Sequence, residues 1–257
     1  MADDRPLPPV FVISLAYSTN RRTIMAERLD YLKVAYSFFD AVNGATLDLE
    51  TLPLYAKTRR RLFFGRDMTK GEVGCLLSHR AVYQHMLNND IPCAIVLEDD
   101  AILSPDFPAV IRSVLSCPVA WDMVRFLDSE KVYRKSRAVA PLAPGHAMIR
   151  TMIPSGGAYG YILTKKAAGV LLDHMRKNFI PIDTLHGYVW KTGLNVFAVN
   201  PSPVRPDRVI ESTIGDARFD KGVKPAGWIR AVYPFTRFFL RLYEALGKRW
   251  SYWTARP

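Results

Sequence analysis

Residues 94–97, Ala-Ile-Val-Leu, form an apolar run that stops abruptly at three consecutive carboxylates, Glu98, Asp99 and Asp100. The run has the length and composition of a short buried strand. Three acids at the end of a core strand repel one another and lose part of their hydration, which calls for compensation. A divalent cation answers this economically. Hard oxygen ligands suit Mg²⁺ or Mn²⁺, and neither ion needs a full protein cage when a substrate phosphate completes the shell. If strand geometry continues through the acids, Glu98 and Asp100 face one side and Asp99 the other. The E-x-D pair, Glu98 and Asp100, is then the metal pair. Taken alone, an acidic triplet reads more often as a solvated strand-to-loop turn, and the neighbouring sequence reverses that balance.

The preceding sequence supplies a frame for such a strand. Val10–Leu15 (V-F-V-I-S-L) is apolar enough to be buried on both faces. Ser18, Thr19 and Asn20 offer helix-capping chemistry, and Arg21-Arg22 open a helical stretch to about Leu32. A second strand is expected over residues 33–42, closed by Asn43-Gly44. Strand, helix and strand in about 30 residues make a βαβ unit and imply a parallel sheet. Arginines in the first turn oppose the helix dipole, so they fit best beside an anion such as a nucleotide phosphate, or else in a solvated turn.

Residues 52–67, with K-T-R-R-R-L-F-F-G-R, read as a basic loop over the site. Thr69 and Glu72 have capping-box spacing and start a helix running to about Leu87. Gly71 and Gly74 leave one flank of it bare for a backbone or ligand, with Cys75, Ser78, His79 and Val82 alongside. A lone histidine there is more often a satisfied core residue than a catalyst. Further helices are expected from Pro105 to about Leu115, after Thr164 and from Pro181. Further strands are expected at 121–127, 147–153, 158–163 and 196–199, with residues 128–146 irregular. Pro154-Ser155-Gly156-Gly157 marks a turn.

Composition narrows the class. With 49% of 257 residues apolar, the chain can build a sizeable core. No run approaches the roughly 18 apolar residues of a membrane span, and the acidic, proline-rich start does not look like an export signal. Cys75, Cys93 and Cys117 lack C-x-x-C spacing and fit a reducing compartment better than a zinc site or disulfide frame. A cytoplasmic protein is expected. The net charge of +11 is concentrated late: from Lys221 onward there are eight basic residues and one acid, Glu244. Such a tail suggests an anionic partner, a membrane or a nucleic acid. Within it Phe235, Phe238, Phe239, Leu242 and Leu246 share one helical face, and Arg230, Arg237, Arg241 and Lys248 the other. Two readings follow: an interfacial helix on the inner face of the cytoplasmic membrane, or a terminal helix docked on the domain by its apolar face. The expected division is a catalytic domain over 1–220 and a basic amphipathic segment over 221–257.

Several stretches together resemble glycosyltransferase family 25: V-F-V-I-S-L, Asp40-Ala-Val-Asn-Gly44, Thr69-x-Gly-Glu-x-Gly-Cys-x-x-Ser-His79, Leu97-Glu-Asp-Asp100 and residues 156–172. The resemblance spans about 200 residues in order. It implies an α/β, GT-A-like single domain with a mixed, mostly parallel central sheet flanked by helices. It also implies a UDP-hexose donor (UDP-galactose or UDP-glucose), Mn²⁺ or Mg²⁺, and inversion at the anomeric carbon. The acceptor it implies is a glycan or glycolipid such as lipopolysaccharide core or lipooligosaccharide, with no nucleic acid. On this reading Glu98 and Asp100 hold the metal, and Asp99 accepts a ribose hydroxyl. Ser14, Leu15, Arg22, Gly71, Glu72, Ser78 and His79 line the donor side. Inversion needs a general base; Asp183 in P-I-D-T-L-H-G-Y is the first choice, with His186 as neighbour or substitute, although Asp183 could equally cap its helix. Tyr159 and Tyr161 are sugar-stacking or sheet residues. Two other classes compete. A D-x-D phosphohydrolase would need an aspartate where Glu98 stands, and a non-enzymatic basic binder of membrane or nucleic acid leaves the acid triplet unexplained.

Overall fold

The computed structural model describes residues 6–143, 145–153, 156–207 and 227–254. Ten strands and nine helices are formed among them. The strands are β1 (Val10–Ser14), β2 (Ser37–Asp40), β3 (Cys93–Glu98), β4 (Ala101–Leu103), β5 (Met123–Arg125), β6 (Ser136–Pro141), β7 (Ala147–Thr151), β8 (Gly160–Thr164), β9 (Val196–Asn200) and β10 (Val204–Pro206). The helices are α1 (Thr19–Tyr31), α2 (Lys57–Phe64), α3 (Lys70–Asn88), α4 (Phe107–Ser116), α5 (Glu130–Arg134), α6 (Lys165–His174), α7 (Ile182–His186), α8 (Val189–Thr192) and α9 (Ile229–Thr254).

Eight strands form one mixed sheet in the order β2-β1-β3-β8-β5-β9-β7-β6. β1 pairs in parallel with β2 and β3, and β5 with β9, whereas β8 and β7 run against their neighbours. Six strands therefore share one direction. β4 and β10 make a separate antiparallel pair. Alternation along the strands divides the core into two layers. Phe11, Ile13, Ala94, Val96, Tyr161 and Leu163 pack against α3 and α6 through Val82, Tyr83, Met86, Ala167 and Leu171. Val10, Val12, Ile95, Leu97, Ile162 and Phe197 face α1 and α4 through Met25, Leu29, Val110 and Ile111. The result is an α/β sandwich with helices on both sheet faces.

The βαβ expectation holds, with a shorter second strand: only Ser37–Asp40 pairs, at the sheet edge. Residues 52–67 are not a loop. Lys57–Phe64 is a helix ending at Gly65, whose φ of 74° stops it in the left-handed region. Its arginines are committed: Arg60 is buried and donates to the Phe179 carbonyl, Arg61 pairs with Asp67, and Arg59 lies 4.9 Å from the Phe179 ring centroid. Residues 128–146, expected to be irregular, supply α5 and β6. Periodicity is weak there because β6 is half-exposed and shifts register at Ala138/Ala140. Pro154, Ser155 and the boundary between residues 220 and 221 lie outside the described residues.

Candidate active site

The carboxyl ends of the adjacent parallel strands β1, β2 and β3 open into a crevice of about 430 Å³. This is where an open α/β sheet ordinarily offers a binding site. Register puts the acids there: Ile13 lies opposite Glu98, so the chain leaves β1 at Ser14 and β3 at Asp99 side by side. The walls come from the β1–α1 turn (Ser14, Leu15, Tyr17, Arg21), the loop after β2 (Val42 to Ala45), the first turns of α3 (Lys70, Gly71, Cys75, Ser78), and Glu98, Asp99 and Asp100.

Sequence dictates the tight fit of these parts. A β-carbon on Gly44 would lie 2.2 Å from the Lys70 carbonyl oxygen, and one on Gly74 would lie 2.8 Å from the Gly44 backbone. The Asn-Gly loop and α3 thus touch backbone to backbone, which only glycine permits. Asn43 and Ser78 lock the contact. Asn43 accepts from the Ala45 N–H at 3.0 Å, and Ser78 Oγ accepts from the Val42 N–H at 2.9 Å while donating to the Gly74 carbonyl at 2.7 Å. Of the bare flank expected on α3, Gly74 meets this loop and Gly71 faces the crevice.

The three acids have different surroundings. Strand geometry ends at Glu98, and Asp99-Asp100 form a turn before β4. All three line the crevice. Asp99 is buried and saturated: Ser14 Oγ donates to Oδ2 at 2.7 Å, and Arg21 Nη1 to Oδ1 at 2.9 Å. Glu98 is gripped through Oε1, which accepts from His79 Nε2 at 3.2 Å and lies 3.5 Å from Cys75 Sγ. Asp100 is the least compensated member, with only the Arg21 charge and its own backbone N–H in its favour. Among the described residues its Oδ1 is buried with no hydrogen-bond partner, and burial, then the fields of Glu98 and Asp99, push its pKa up to about 7. An orphaned carboxylate oxygen beside a second carboxylate, in a crevice lined by three acids, fits a hard divalent cation. Glu98 and Asp100 are the residues that would hold it. Cys75, His79 and Glu98 also converge closely enough to ligate, but burial and Glu98 raise the Cys75 thiol pKa well above its ordinary value. As the site stands, the protonated thiol serves as a hydrogen-bond donor to Glu98.

Behind Glu98 runs a buried chain of hydrogen bonds: His79 Nδ1 to Tyr161 OH at 2.6 Å, Tyr161 OH to Tyr83 OH at 2.8 Å, and Tyr83 OH to His186 Nε2 at 2.6 Å. If Glu98 accepts at one end and His79 carries one proton, one order satisfies every link. His186 Nε2–H donates to Tyr83, Tyr83 to Tyr161, Tyr161 to His79 Nδ1, and His79 Nε2–H to Glu98. His186 Nδ1 is then left bare, and it is indeed buried without a partner.

Several expected site residues therefore move. Arg21, not Arg22, faces the crevice; Arg22 donates to the Ser14 carbonyl at 3.0 Å, pairs with Asp40 and lies over Phe38. Glu72 does not line the crevice: its carboxylate accepts the Thr69 N–H at 2.8 Å, completing the capping box, and lies 3.6 Å from Arg66. His79 sits wholly buried behind Glu98, where it orients that carboxylate. His186 is buried at 2% exposure, and burial and the Arg125 charge drive its pKa well below the ordinary value. Its Nε2 is held by Tyr83, inside the protein. Asp183 does not cap α7, whose N-cap is Pro181. Its Oδ1 accepts the Thr184 N–H at 2.7 Å, and Oδ2 has no hydrogen bond among the described residues. Asp183 lies outside the crevice lining, near enough for its charge to act on Cys75 and Arg125. Tyr159 and Tyr161 are buried sheet residues; Tyr159 accepts the Asp128 N–H through its hydroxyl. Arg125 was not singled out from the sequence. It is fully buried on β5 and donates to the Gly157 carbonyl at 2.6 Å. A charged residue inside the apolar stretch Met123–Leu127 is the signal that could have found it.

The chain matches Glycosyltransferase family 25 (LPS biosynthesis protein) over residues 7–186 and belongs to that family. It is 26% identical to a rat protein named probable inactive glycosyltransferase 25 family member 3, over 77% of this chain and 38% of the relative. It is 27% identical to procollagen galactosyltransferase 1-A of Xenopus laevis, over 66% of this chain and 29% of that protein. The chain thus spans well under half the length of these relatives. A solved glycosyltransferase involved in the glycosylation of the major capsid of PBCV-1 overlaps 65% of this chain and 66% of its own, at 11% identity and a TM-score of 0.33.

Proposed function

We propose that the protein transfers a hexosyl group from a UDP-sugar, galactose or glucose, to a glycan acceptor, with inversion. The observation that carries the reading is Asp100: a buried carboxylate oxygen with no hydrogen-bond partner among the described residues, beside Glu98, at the carboxyl ends of three parallel strands. A divalent cation held there by Glu98 and Asp100 would neutralise charge on a departing diphosphate. The remaining work falls to the chain. Ser14 and Arg21 fix Asp99, so that its carboxylate edge and the β1–α1 turn form a preset wall for the nucleoside, while Gly71 leaves room beside it. His79 and Cys75 hold Glu98 in one rotamer. Asp183 is the candidate base. Its free Oδ2 suits proton acceptance from an acceptor hydroxyl, and its field reaches the crevice residue Cys75.

The family's description favours a lipid-linked oligosaccharide of lipopolysaccharide type as acceptor, and the galactosyltransferase relatives favour galactose. UDP release from UDP-galactose and UDP-glucose with Mn²⁺ or Mg²⁺, compared with EDTA and with Asp100→Ala, tests the proposal. Release that ignores both chelation and the substitution would refute it. The names of the inactive relatives support a second reading, a sugar-nucleotide binder without turnover. Donor binding by calorimetry with no UDP release on any acceptor would select it.

A further inference from the structure

We infer that α9 is a membrane-docking element whose outward face lies in the headgroup region of a bilayer containing anionic phospholipid. The inference goes beyond the transferase reading and does not depend on it.

The helix is held on the domain by its less apolar side. Thr236 Oγ1 donates to the Leu62 carbonyl, and Arg237 lies over the Phe64 ring at 4.8 Å. Tyr188 donates to Glu244, and Lys248 stands 6.0 Å from the Trp190 ring centroid. Gly247 lets α8 approach: a β-carbon there would lie 2.5 Å from the Trp190 indole. Leu240 and Tyr252 are buried on the same side. The expectation of a helix docked by its apolar face is therefore reversed.

What faces outward is the aromatic side. Ten of the twelve exposed large hydrophobic side chains among the described residues lie between Trp228 and Trp253. Trp228, Val232, Phe235, Phe239, Leu242, Leu246 and Trp253 recur at helical spacing along about 39 Å of helix. Phe235 and Trp253 are each 68% exposed. A stripe of this size on a water-soluble surface marks an interaction site. Charge identifies the partner. The exposed positions of α9 include Arg230, Arg241 and Arg249 and no acid, because Glu244 is turned inward to Tyr188. Arg249 flanks the stripe while Arg230 and Arg241 stand exposed behind it, and a second copy laid on this face would offer no acid to any of them. A bilayer with anionic headgroups accepts both the aromatic stripe and the arginines. The helix does not span: among the described residues none is long and apolar enough to cross a membrane.

The test is flotation of the full chain with vesicles of phosphatidylcholine alone or mixed with phosphatidylglycerol. The wild type should float with the mixed vesicles, and its partition coefficient should fall at least about tenfold in high salt. Phe235→Ser/Phe239→Ser/Leu242→Ser should lower partitioning at least about a hundredfold. Arg230→Gln/Arg241→Gln/Arg249→Gln, which leaves the apolar stripe intact, should also lower it roughly a hundredfold. Unchanged melting temperature and near-ultraviolet dichroism would show that both variants keep the fold. A wild type that stays unbound, or a Ser variant that floats as well as the wild type, overturns the inference. So does a wild-type dimer in sedimentation equilibrium that the Ser variant converts to monomer, since that assigns the face to a second copy.

Discussion

Replacing Asp100 by asparagine gives the sharpest test of the site, because the expected effect on stability is the reverse of what deleting a useful contact would produce. Burial and the neighbouring acids raise the folded pKa of Asp100 from 3.8 to about 7. Between those values the folded protein holds a proton that the unfolded chain releases. This group therefore favours the fold most at low pH, and its contribution is lost as pH rises through about 7. Relative to low pH, that rise costs about 4 kcal/mol at pH 8 and about 2 kcal/mol at pH 5. With metal chelated, Asp100→Asn should thus be more stable than wild type at pH 8, by roughly 2–4 kcal/mol in urea unfolding. The gain should shrink at pH 5. Saturating Mn²⁺ at pH 8 should restore the wild type, since a cation supplies the missing charge, and should leave the variant's melting temperature unmoved. A variant less stable than wild type by the same amount at both pH values would refute the reasoning. It would mean that Asp100 is satisfied in the fold and holds no place for a cation.

Tyr83→Phe breaks the buried chain between His186 and Glu98 and leaves polar groups unpaired, so it should cost about 1–3 kcal/mol in denaturant unfolding. If the chain orients Glu98, cation-dependent UDP release should fall as well, while Tyr161→Leu should cost more stability because it also removes a buried ring. Arg21→Ala removes the ion pair on Asp99 and should raise KM for the donor roughly tenfold with little change in kcat, a difference of about 1.4 kcal/mol in ground-state binding. Gly44→Ala forces a β-carbon onto the Lys70 carbonyl and should lower stability by about 2 kcal/mol or more, read as a drop in melting temperature.

Much of the crevice was legible along the chain because its parts are local. The apolar run into Glu98, the Thr69–Glu72 capping box and the Asn43-Gly44 turn are each set by neighbours within a few residues. The structure adds what those short ranges do not contain. Arg21 and Arg22 are adjacent on one helix turn, and only the position of Asp40 on β2 decides which of them faces the crevice. In the sequence His79 reads as a core or donor-side residue and His186 as a substitute base. Tyr83 and Tyr161, brought from α3 and β8, close around them and make both part of the interior. The arginine-rich stretch 57–64 reads as a loop because its hydrophobic partners lie on α9 and at Phe179, more than 100 residues away.

By itself, then, the sequence determined the alternation of strands and helices, the acids closing β3, and a basic, aromatic final helix, because periodicity, capping and strand-end chemistry operate between near neighbours. Tertiary structure alone decided which carboxylate is left least compensated and which side of α9 meets the protein. Both depend on groups distant in the chain, on the burial that removes water from Asp100 and on the Trp190 indole resting against Gly247.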